Sequence, residues 1–193
     1  MAMDQDLELM LRVRKGDAES FEVLLRRHRA PLVSFFIRMV RDQALAEDLA
    51  QEVFLRVYQA RHRYQPEARF TTWLYRIATN LALNAIRDRK GSPAGPDFEN
   101  HEGESEAARV ADPQPVADQH MIQRERGRVI REAVESLPEK QCAAVILHKY
   151  QGVNYQQIAR ILGVSESAVK SLLFRAYESL RASLEPLLKE GKI

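Results

Sequence analysis

The sequence has little of what builds disulfide-linked, strand-rich or membrane-spanning proteins. It contains one cysteine, Cys142, so no disulfide can form within the chain. Glycine and proline number only eight each in 193 residues, and alternating polar and apolar residues are almost absent, which argues against β-sheets. No apolar run approaches the roughly 18 residues that a membrane-spanning helix needs. The first residues, MAMDQDLELML, lack the basic segment of a signal peptide, so we expect a cytoplasmic protein.

Patterns typical of enzymes and metal proteins are missing as well. The five histidines follow no ligand spacing, and neither a G-x-x-x-x-G-K-[ST] nucleotide loop nor a nucleophile motif is present. We therefore expect no catalytic residue, no metal site, no cofactor and no small-molecule substrate. Cys142 lies within the apolar run CAAVIL, which predicts a buried, unreactive thiol.

The residues that are abundant predict an all-α protein made of two small helical domains. Leucine, alanine, arginine, glutamate and glutamine dominate the composition. Between the two helical blocks, residues 91–118 hold seven acids, one base, three glycines and four prolines. Low hydrophobicity and net negative charge disfavour a packed core, so this segment is predicted to be a flexible acidic linker. The expected domains are residues 1–90 and 119–193.

Capping signals and apolar periodicity place the predicted helices. Asp17 and Asp42 are good N-caps, Gly163 marks a turn, and Ser136–Glu139 (SLPE) matches a capping box. Pro31 predicts a possible kink or break. In the first block the predicted helices cover about residues 5–15, 18–40, 43–61 and 69–90. In the second block a helix starts at the SLPE capping box, with its proline inside the first turn, and runs to about residue 150; two more cover about residues 154–162 and 165–188.

A helix-turn-helix is predicted in the second block, in YQQIARILGVSESAVKSLLFRAYESL. Its apolar residues can pack together and leave an outer face on the second helix, made of Ser167, Lys170, Ser171, Phe174 and Arg175. In such motifs this face enters the DNA major groove, where Lys170 and Arg175 can reach guanine edges or phosphates. An ordinary helical hairpin with a solvated basic face, with Phe174 packed on the preceding helix, is the alternative.

A helix with two carboxylates on one side is predicted in AEDLAQEVFLRVYQAR. Asp48, Gln51 and Glu52 fall at i, i+3 and i+4, and Arg56 continues that side. The buried stripe is Leu49, Val53, Phe54 and Val57. No histidine at ligand spacing and no third carboxylate on that side accompanies the two acids, so a solvated face or a protein-docking face is expected rather than a metal site.

The stretch RFTTWLYRIATNLALNAIRDRK predicts a helix with an unusual outer face. At about 100° per residue, one arc is apolar and forms the core: Phe70, Leu74, Ile77, Ala78, Leu81 and Ala85. The opposite arc holds Thr72, Arg76, Thr79, Asn80, Leu83 and Arg87, with Asn84 at its edge and Trp73 at the border. Amides and guanidinium groups suit base edges and phosphates, and Trp73 with Tyr75 or Tyr64 could stack an unpaired base. A neutral surface is the alternative.

Taken together, these motifs resemble the extracytoplasmic-function sigma factors, the small initiation subunits of bacterial RNA polymerase. The matching pieces are GDAESFEVLLRRH, AEDLAQEVFLRVYQA, FTTWLYRIATNLALNAIR and LPEKQCAAVILHKYQGVNYQQIARILGVSESAVKSLLFRA. They occur in family order and cover nearly the whole chain except the linker. The resemblance implies that residues 1–90 are sigma region 2 and residues 119–193 are sigma region 4.

The resemblance also implies a role for each polar face. Core RNA polymerase would bind the residues Asp48, Leu49, Gln51, Glu52, Phe54 and Arg56. The −10 promoter element would be melted and read by Arg63, Arg69, Thr72, Trp73, Tyr75, Arg76, Thr79, Asn80, Asn84 and Arg87, and the −35 element by Ser167, Lys170, Ser171, Phe174 and Arg175. Expected partners are core polymerase, promoter DNA and a membrane-anchored anti-sigma factor that holds the protein inactive.

Two other functions stay open on the sequence. A free-standing helix-turn-helix regulator would use the second block alone and oligomerise through the first. An enzyme is the third reading, disfavoured by the missing motifs.

Overall fold

The described part of the chain is helical throughout. The computed structural model describes residues 5–66, 68–91 and 117–189, with side chains in the last range from residue 125 onward. These ranges contain eight α-helices, one short 3-10 helix and no β-strand, so the all-α prediction is confirmed. The helices are α1 (Gln5–Arg14), α2 (Ala18–Val40), α3 (Gln43–Gln59), the 3-10 helix (Arg61–Arg63), α4 (Phe70–Gly91), α5 (Ala117–Glu135), α6 (Glu139–Lys149), α7 (Tyr155–Leu162) and α8 (Glu166–Lys189).

The predicted caps of the first block are present. The Asp17 carboxylate accepts a hydrogen bond from the backbone N–H of Ser20 (3.1 Å) and so begins α2. Asp42 does the same for α3 through the N–H of Leu45 (2.9 Å). Pro31 does not break α2, which continues to Val40, so the possible break was wrong.

The helix-turn-helix of the second block is also confirmed. Asn154 begins α7 with a capping box, in which its side chain and that of Gln157 satisfy each other's backbone N–H groups. Gly163 ends α7 at φ 65°, a left-handed conformation that suits glycine. The Ser165 hydroxyl then accepts from the N–H of Ala168 (3.1 Å) and begins α8.

At the start of the second block one expectation was wrong and one helix was missed. The capping box at Ser136–Glu139 does not form, because Pro138 is the N-cap of α6 and Ser136 donates its hydroxyl to the Ala133 carbonyl (2.8 Å). Helix α5 was not predicted at all, and it begins at Ala117, inside the expected linker. The rest of that linker, residues 92–116, lies outside the described residues.

The first block has an aromatic core surrounded by α1 to α4. The largest fully buried side chains are Phe35, Phe36, Phe70, Leu24, Leu32, Leu74 and Met10. A buried polar cluster ties α1 to α2, because Asp6 pairs with Arg27 and its Oδ2 lies 2.8 Å from Nε2 of His28. This pairing compensates the desolvation of the Asp6 carboxylate.

The core of the second block is built on α6, which packs against α7 and α8. Residues 142–147 are buried, as are Val169 and Leu173 of α8. Cys142 is among them, and burial raises the pKa of its thiol to about 11, so the predicted buried, unreactive thiol is confirmed.

The two blocks touch in this structure. Helix α4 packs against α7, and α2 packs against α6, so that the buried side chains of both blocks form one continuous apolar cluster. None of the helices in the described ranges has both the length and the apolar composition needed to cross a membrane.

Candidate nucleic-acid and protein-binding surfaces

Helix α4 presents three arcs rather than the two that its periodicity predicted. The first, with Leu74, Ala78 and Leu81, is buried and faces the core of the first block. The second is the exposed stripe, which consists of Arg76, Asn80, Asn84 and Arg87. The third lies between them and is buried; we call it the flank arc, and it consists of Thr72, Tyr75, Thr79 and Ala82.

The exposed stripe carries two guanidinium groups and two amides and no carboxylate. Asn84 Oδ1 accepts a hydrogen bond from the Arg87 guanidinium, so these two side chains are held together on the surface. The described surface therefore has hydrogen-bond donors at spacings of one helical turn, suited to phosphates and base edges.

Aromatic residues support the N-terminal end of α4. The indole of Trp73, half-buried, lies 5.0 Å from the Tyr64 ring and 6.2 Å from the Phe70 ring, measured between centroids. Arg63, directly before Tyr64 in the sequence, and Arg69, directly before Phe70, are both exposed. The structure thus brings Trp73, Tyr64 and two of the predicted arginines to one end of the helix.

The expectation that Thr72 and Thr79 face solvent was wrong in this structure. They are 5% and 0% exposed, and Tyr75 is 4% exposed. The physical reason is tertiary, because α4 packs against helices of its own block and also against α7 of the second block. The Tyr75 ring lies 5.5 Å from that of Phe35 between centroids, and its hydroxyl donates a 2.5 Å hydrogen bond to Oε1 of Gln151. Desolvation raises the pKa of Tyr75 well above its ordinary value, so the hydroxyl stays a donor. A role of these residues in DNA binding stays a prediction.

The outer face of α8 is exposed as predicted. Ser167, Lys170, Ser171 and Arg175 are exposed, and Phe174 is 67% exposed rather than packed on α7. Lys170 forms an ion pair with Glu166 (3.7 Å), whereas the Ser171 hydroxyl bonds to its own helix at the Ser167 carbonyl (3.1 Å). An apolar ring that is exposed to water between basic groups is typical of a binding surface, because a partner that buries the ring releases free energy.

The residues predicted for the carboxylate face of α3 differ in their exposure to solvent. Asp48 and Gln51 are exposed, while Glu52 pairs with Arg56 through a 2.7 Å ion pair. Two predicted members of this site differ from the rest: Leu49 packs against the core and Phe54 is buried at 5% exposure. Phe54 therefore supports the face from below, in edge contact with Phe21 at 6.3 Å.

Beside this face lies an apolar groove that the sequence analysis missed. It has a volume of about 300 Å³ and is lined by Phe21, Leu25, Arg29, Ala50, Gln51, Phe54, Leu55 and Tyr58. Leu55 is 51% exposed and Tyr58 is 41% exposed, both large values for such side chains. The groove forms where α2 and α3 meet, and the contact between two helices is not visible in the sequence of either one. Its one indication in the sequence is Leu55, an apolar residue on the polar side of α3.

Within the ranges that the structure describes, no group of three or more histidine, cysteine, aspartate or glutamate side chains is placed to hold a metal ion.

Comparison with known proteins decides the family. The model of sigma-70 region 2 matches residues 24–91, and the model of sigma-70 region 4 matches residues 127–180. The RNA polymerase sigma-H factor of Pseudomonas aeruginosa is 31% identical over 196 residues, covering 99% of this chain and 100% of that protein. The ECF RNA polymerase sigma-E factor of Escherichia coli K12 is 31% identical over 189 residues, covering 95% and 96% of the two chains.

This chain belongs to the extracytoplasmic-function sigma factors of the sigma-70 family. The region 2 match covers most of α2 and all of α3 and α4, and the region 4 match extends from α5 into α8. The predicted family is therefore confirmed, and it is a family of transcription initiation factors.

Solved structures agree on the fold. CnrH in complex with the cytosolic domain of CnrY matches with a TM-score of 0.69 at 20% identity, over 95% of this chain and 99% of that one. The sigma factor RpoE in complex with the anti-sigma factor NepR from Bartonella quintana matches with a TM-score of 0.63 at 22% identity, over 87% and 98%.

Proposed function

We propose that this protein associates with core RNA polymerase, recognises promoter DNA through two separate helices and is restrained by an anti-sigma factor. Residues 1–90 form the polymerase-binding and −10 domain, residues 91–118 the linker, and residues 119–193 the −35 domain. The observation that carries the proposal is the pair of exposed, donor-rich faces on α4 and α8, each within a different matched region of the family.

The α8 face fits duplex recognition. Lys170 and Arg175 provide cationic donors for guanine edges and phosphates, and the Ser171 hydroxyl can pair with either. Phe174 provides an apolar surface for a thymine methyl group, which accounts for its exposure.

The stripe on α4 fits capture of one strand of a melted duplex. The amides of Asn80 and Asn84 can bond to base edges, while Arg76 and Arg87 neutralise phosphates. We assign Trp73 to stacking with an unpaired base. Unpairing and unstacking a base costs a few kcal/mol, and stacking on an aromatic ring offsets this by about 1–3 kcal/mol per base.

The α3 face and the adjoining groove fit a protein partner. The groove offers apolar contact through Leu55 and Tyr58, and the carboxylate face of the same helix carries the charges of Asp48, Glu52 and Arg56. An apolar centre with a charged rim is the usual composition of a specific protein interface. Core polymerase is the partner that the family membership supports.

Control by an anti-sigma factor is proposed from the structural relatives. RpoE was solved with the anti-sigma factor NepR, and CnrH with the cytosolic domain of CnrY. For this protein we expect a membrane-anchored anti-sigma factor, which would hold it at the inner face of the membrane until it is released into the cytoplasm.

Reconstituted transcription tests the proposal. Promoters are first selected from random DNA with core polymerase plus this protein, and transcripts are then measured with and without each component. We expect transcripts only when both are present, and weak binding of the protein alone to duplex DNA. Tight, specific duplex binding without any core-dependent transcript would instead indicate a free-standing regulator.

A further inference from the structure

A buried carboxylate–imidazole pair joins α1 to α2 and belongs to none of the surfaces described above. Asp6 of α1 is 6% exposed and His28 of α2 is 8% exposed. Oδ2 of Asp6 lies 2.8 Å from Nε2 of His28, and Oδ1 of the same carboxylate accepts a hydrogen bond from the Arg27 guanidinium. An ionised carboxylate only accepts hydrogen bonds, so Nε2 of His28 is the donor. The pair therefore fixes both the position and the orientation of the imidazole ring.

The imidazole ring contacts the aromatic group at the N-terminal end of α4. Its centroid lies 5.5 Å from that of Phe70, and the two ring planes are tilted by 55°. Phe70 is fully buried and makes edge contacts with Trp73 at 6.2 Å and with Tyr64 at 6.4 Å. Trp73 is half-buried, so its indole carries this group to the surface. A continuous row of contacts thus leads from Asp6 to the ring that we assign to base stacking.

Helix α1 also contacts this aromatic group at a second point. The Arg14 guanidinium donates a 3.4 Å hydrogen bond to the backbone carbonyl of Tyr64, whose ring lies 5.0 Å from that of Trp73. In addition, α1 packs against both α4 and the 3-10 helix that precedes Tyr64. Polar contacts from the two ends of α1 thus support the rings, through His28 at one end and through Tyr64 at the other.

Docking of α1 by itself does not require a polar pair. Met10 and Val13 of α1 are 0% and 1% exposed, so apolar packing already holds this helix on the block. Burying a carboxylate and an imidazole carries a desolvation cost, and well-packed apolar side chains in place of a buried charged pair are often equally stabilising or more so. What the pair provides in addition is direction, because a hydrogen bond restricts the angle between its two groups and an apolar contact does not.

We propose that Asp6 and His28 are positioning residues for capture of the −10 strand: the pair holds Phe70, and through Phe70 the indole of Trp73, in the orientation in which an unpaired base can stack. This inference rests on the proposed function of Trp73. Aromatic rings in edge contact have a preferred geometry, so a change in the tilt of one ring displaces its neighbour. Asp6 precedes residue 24, where the match to sigma-70 region 2 begins, so part of the positioning comes from outside the matched residues.

Two substitutions distinguish positioning from simple packing. His28→Gln removes the ring beside Phe70 but leaves an amide that can donate to Asp6, whereas Asp6→Ala removes the acceptor and leaves the ring. A pair that only docks α1 onto α2 would tolerate His28→Gln, while a pair that positions the rings would not. Asp17→Ala is the matched control, because it removes a capping carboxylate of the same block whose hydrogen bonds go to Ser20.

Tryptophan fluorescence of the free protein measures the position of the indole without polymerase or DNA. Trp73 is the single tryptophan in the sequence, so the emission reports on this ring alone. His28→Gln and Asp6→Ala should shift the emission to longer wavelength and increase quenching by acrylamide, because an indole that is held less firmly meets water more often. Asp17→Ala should give the parent spectrum. Circular dichroism confirms that each variant is folded at the temperature of the measurement.

Binding of a single-stranded oligonucleotide measures the consequence for the −10 strand. The probe carries the −10 sequence of a promoter selected with core polymerase plus this protein, and it is titrated with the holoenzyme. His28→Gln and Asp6→Ala should weaken its binding about tenfold, which lies within the range expected from disturbing one stacked base. The affinity for core polymerase and the affinity of the holoenzyme for a −35 duplex should be unchanged, since α3 and α8 carry those surfaces.

Three results would overturn the positioning role. They are a parent-like spectrum and oligonucleotide affinity in His28→Gln, a parallel loss of core affinity in that variant, and equal defects in Asp17→Ala. His28→Gln decides the question alone if Asp6→Ala does not fold, because it keeps a donor for the buried carboxylate. Failure of the parent holoenzyme to bind the oligonucleotide would refute the proposed −10 function instead. The fluorescence result would stand in that case, because it requires no partner.

Discussion

Truncation of Leu55 tests whether the groove beside α3 is a docking site. Complete burial of a leucine side chain contributes about 1.5–3 kcal/mol. Since Leu55 is 51% exposed, roughly half of that contribution is left for a partner to gain. Leu55→Ala should therefore weaken binding to core polymerase by about 0.8–1.5 kcal/mol, or about four- to twelvefold.

The half of Leu55 that is already buried sets the expected effect on folding. Its loss should cost roughly 1 kcal/mol and lower the melting temperature by about 2–4 °C, which leaves the protein folded at the temperature of a binding assay. Titration of labelled protein with core polymerase measures the affinity, and circular dichroism measures the melting temperature of each variant.

Leu188→Ala is the matched control, because Leu188 is 60% exposed near the end of α8, in the other block. It should leave the affinity for core polymerase unchanged. Equal affinities of Leu55→Ala and the parent protein would refute the assignment of the groove, as would an equal loss in Leu188→Ala.

Three further variants test the remaining surfaces. Asp48→Arg combined with Glu52→Arg should reduce core binding at least about a hundredfold in co-purification, since reversed charges at an interface cost several kcal/mol. The melting temperature should stay nearly unchanged, because the exposed Glu52–Arg56 pair contributes under about 1 kcal/mol to stability. Arg175→Ala should weaken holoenzyme binding to a −35 duplex by about 1–3 kcal/mol, and identical footprints on promoters that differ at −35 would place the reader elsewhere. Asn80→Ala should slow promoter opening about tenfold with unchanged core affinity, by loss of one base contact worth about 1–3 kcal/mol; normal opening kinetics would remove Asn80 from the site.

Local signals predicted most of the helices correctly. Asp17 and Asp42 act as N-caps through contacts with residues three positions along the chain, so their effect is readable without the fold. The capping box predicted at Ser136 is absent for an equally local reason. Pro138 is extended with ψ 141°, and α6 begins one residue later without a side-chain cap.

Helix α5 was missed because it lacks a regular apolar stripe. Its described part is mostly exposed and charged, with Arg128 paired to both Glu125 and Glu132, and only Ala133 and Val134 are buried near its end. Ion pairs at i, i+3 and i+4 stabilise such a helix without producing the periodicity that sequence analysis detects.

Caps, apolar spacing and the glycine turn act over a few residues, so the helical class, the family motifs and the exposed face of α8 can be read without the fold. The burial of Thr72 and Thr79 cannot, because it depends on which helices pack around α4. A helical period says which residues share a side of α4, but a helix in contact with two neighbours has two buried sides. Whether a polar arc meets water, DNA or α7 depends on the packing of residues far apart in the chain, and so does the groove at Leu55.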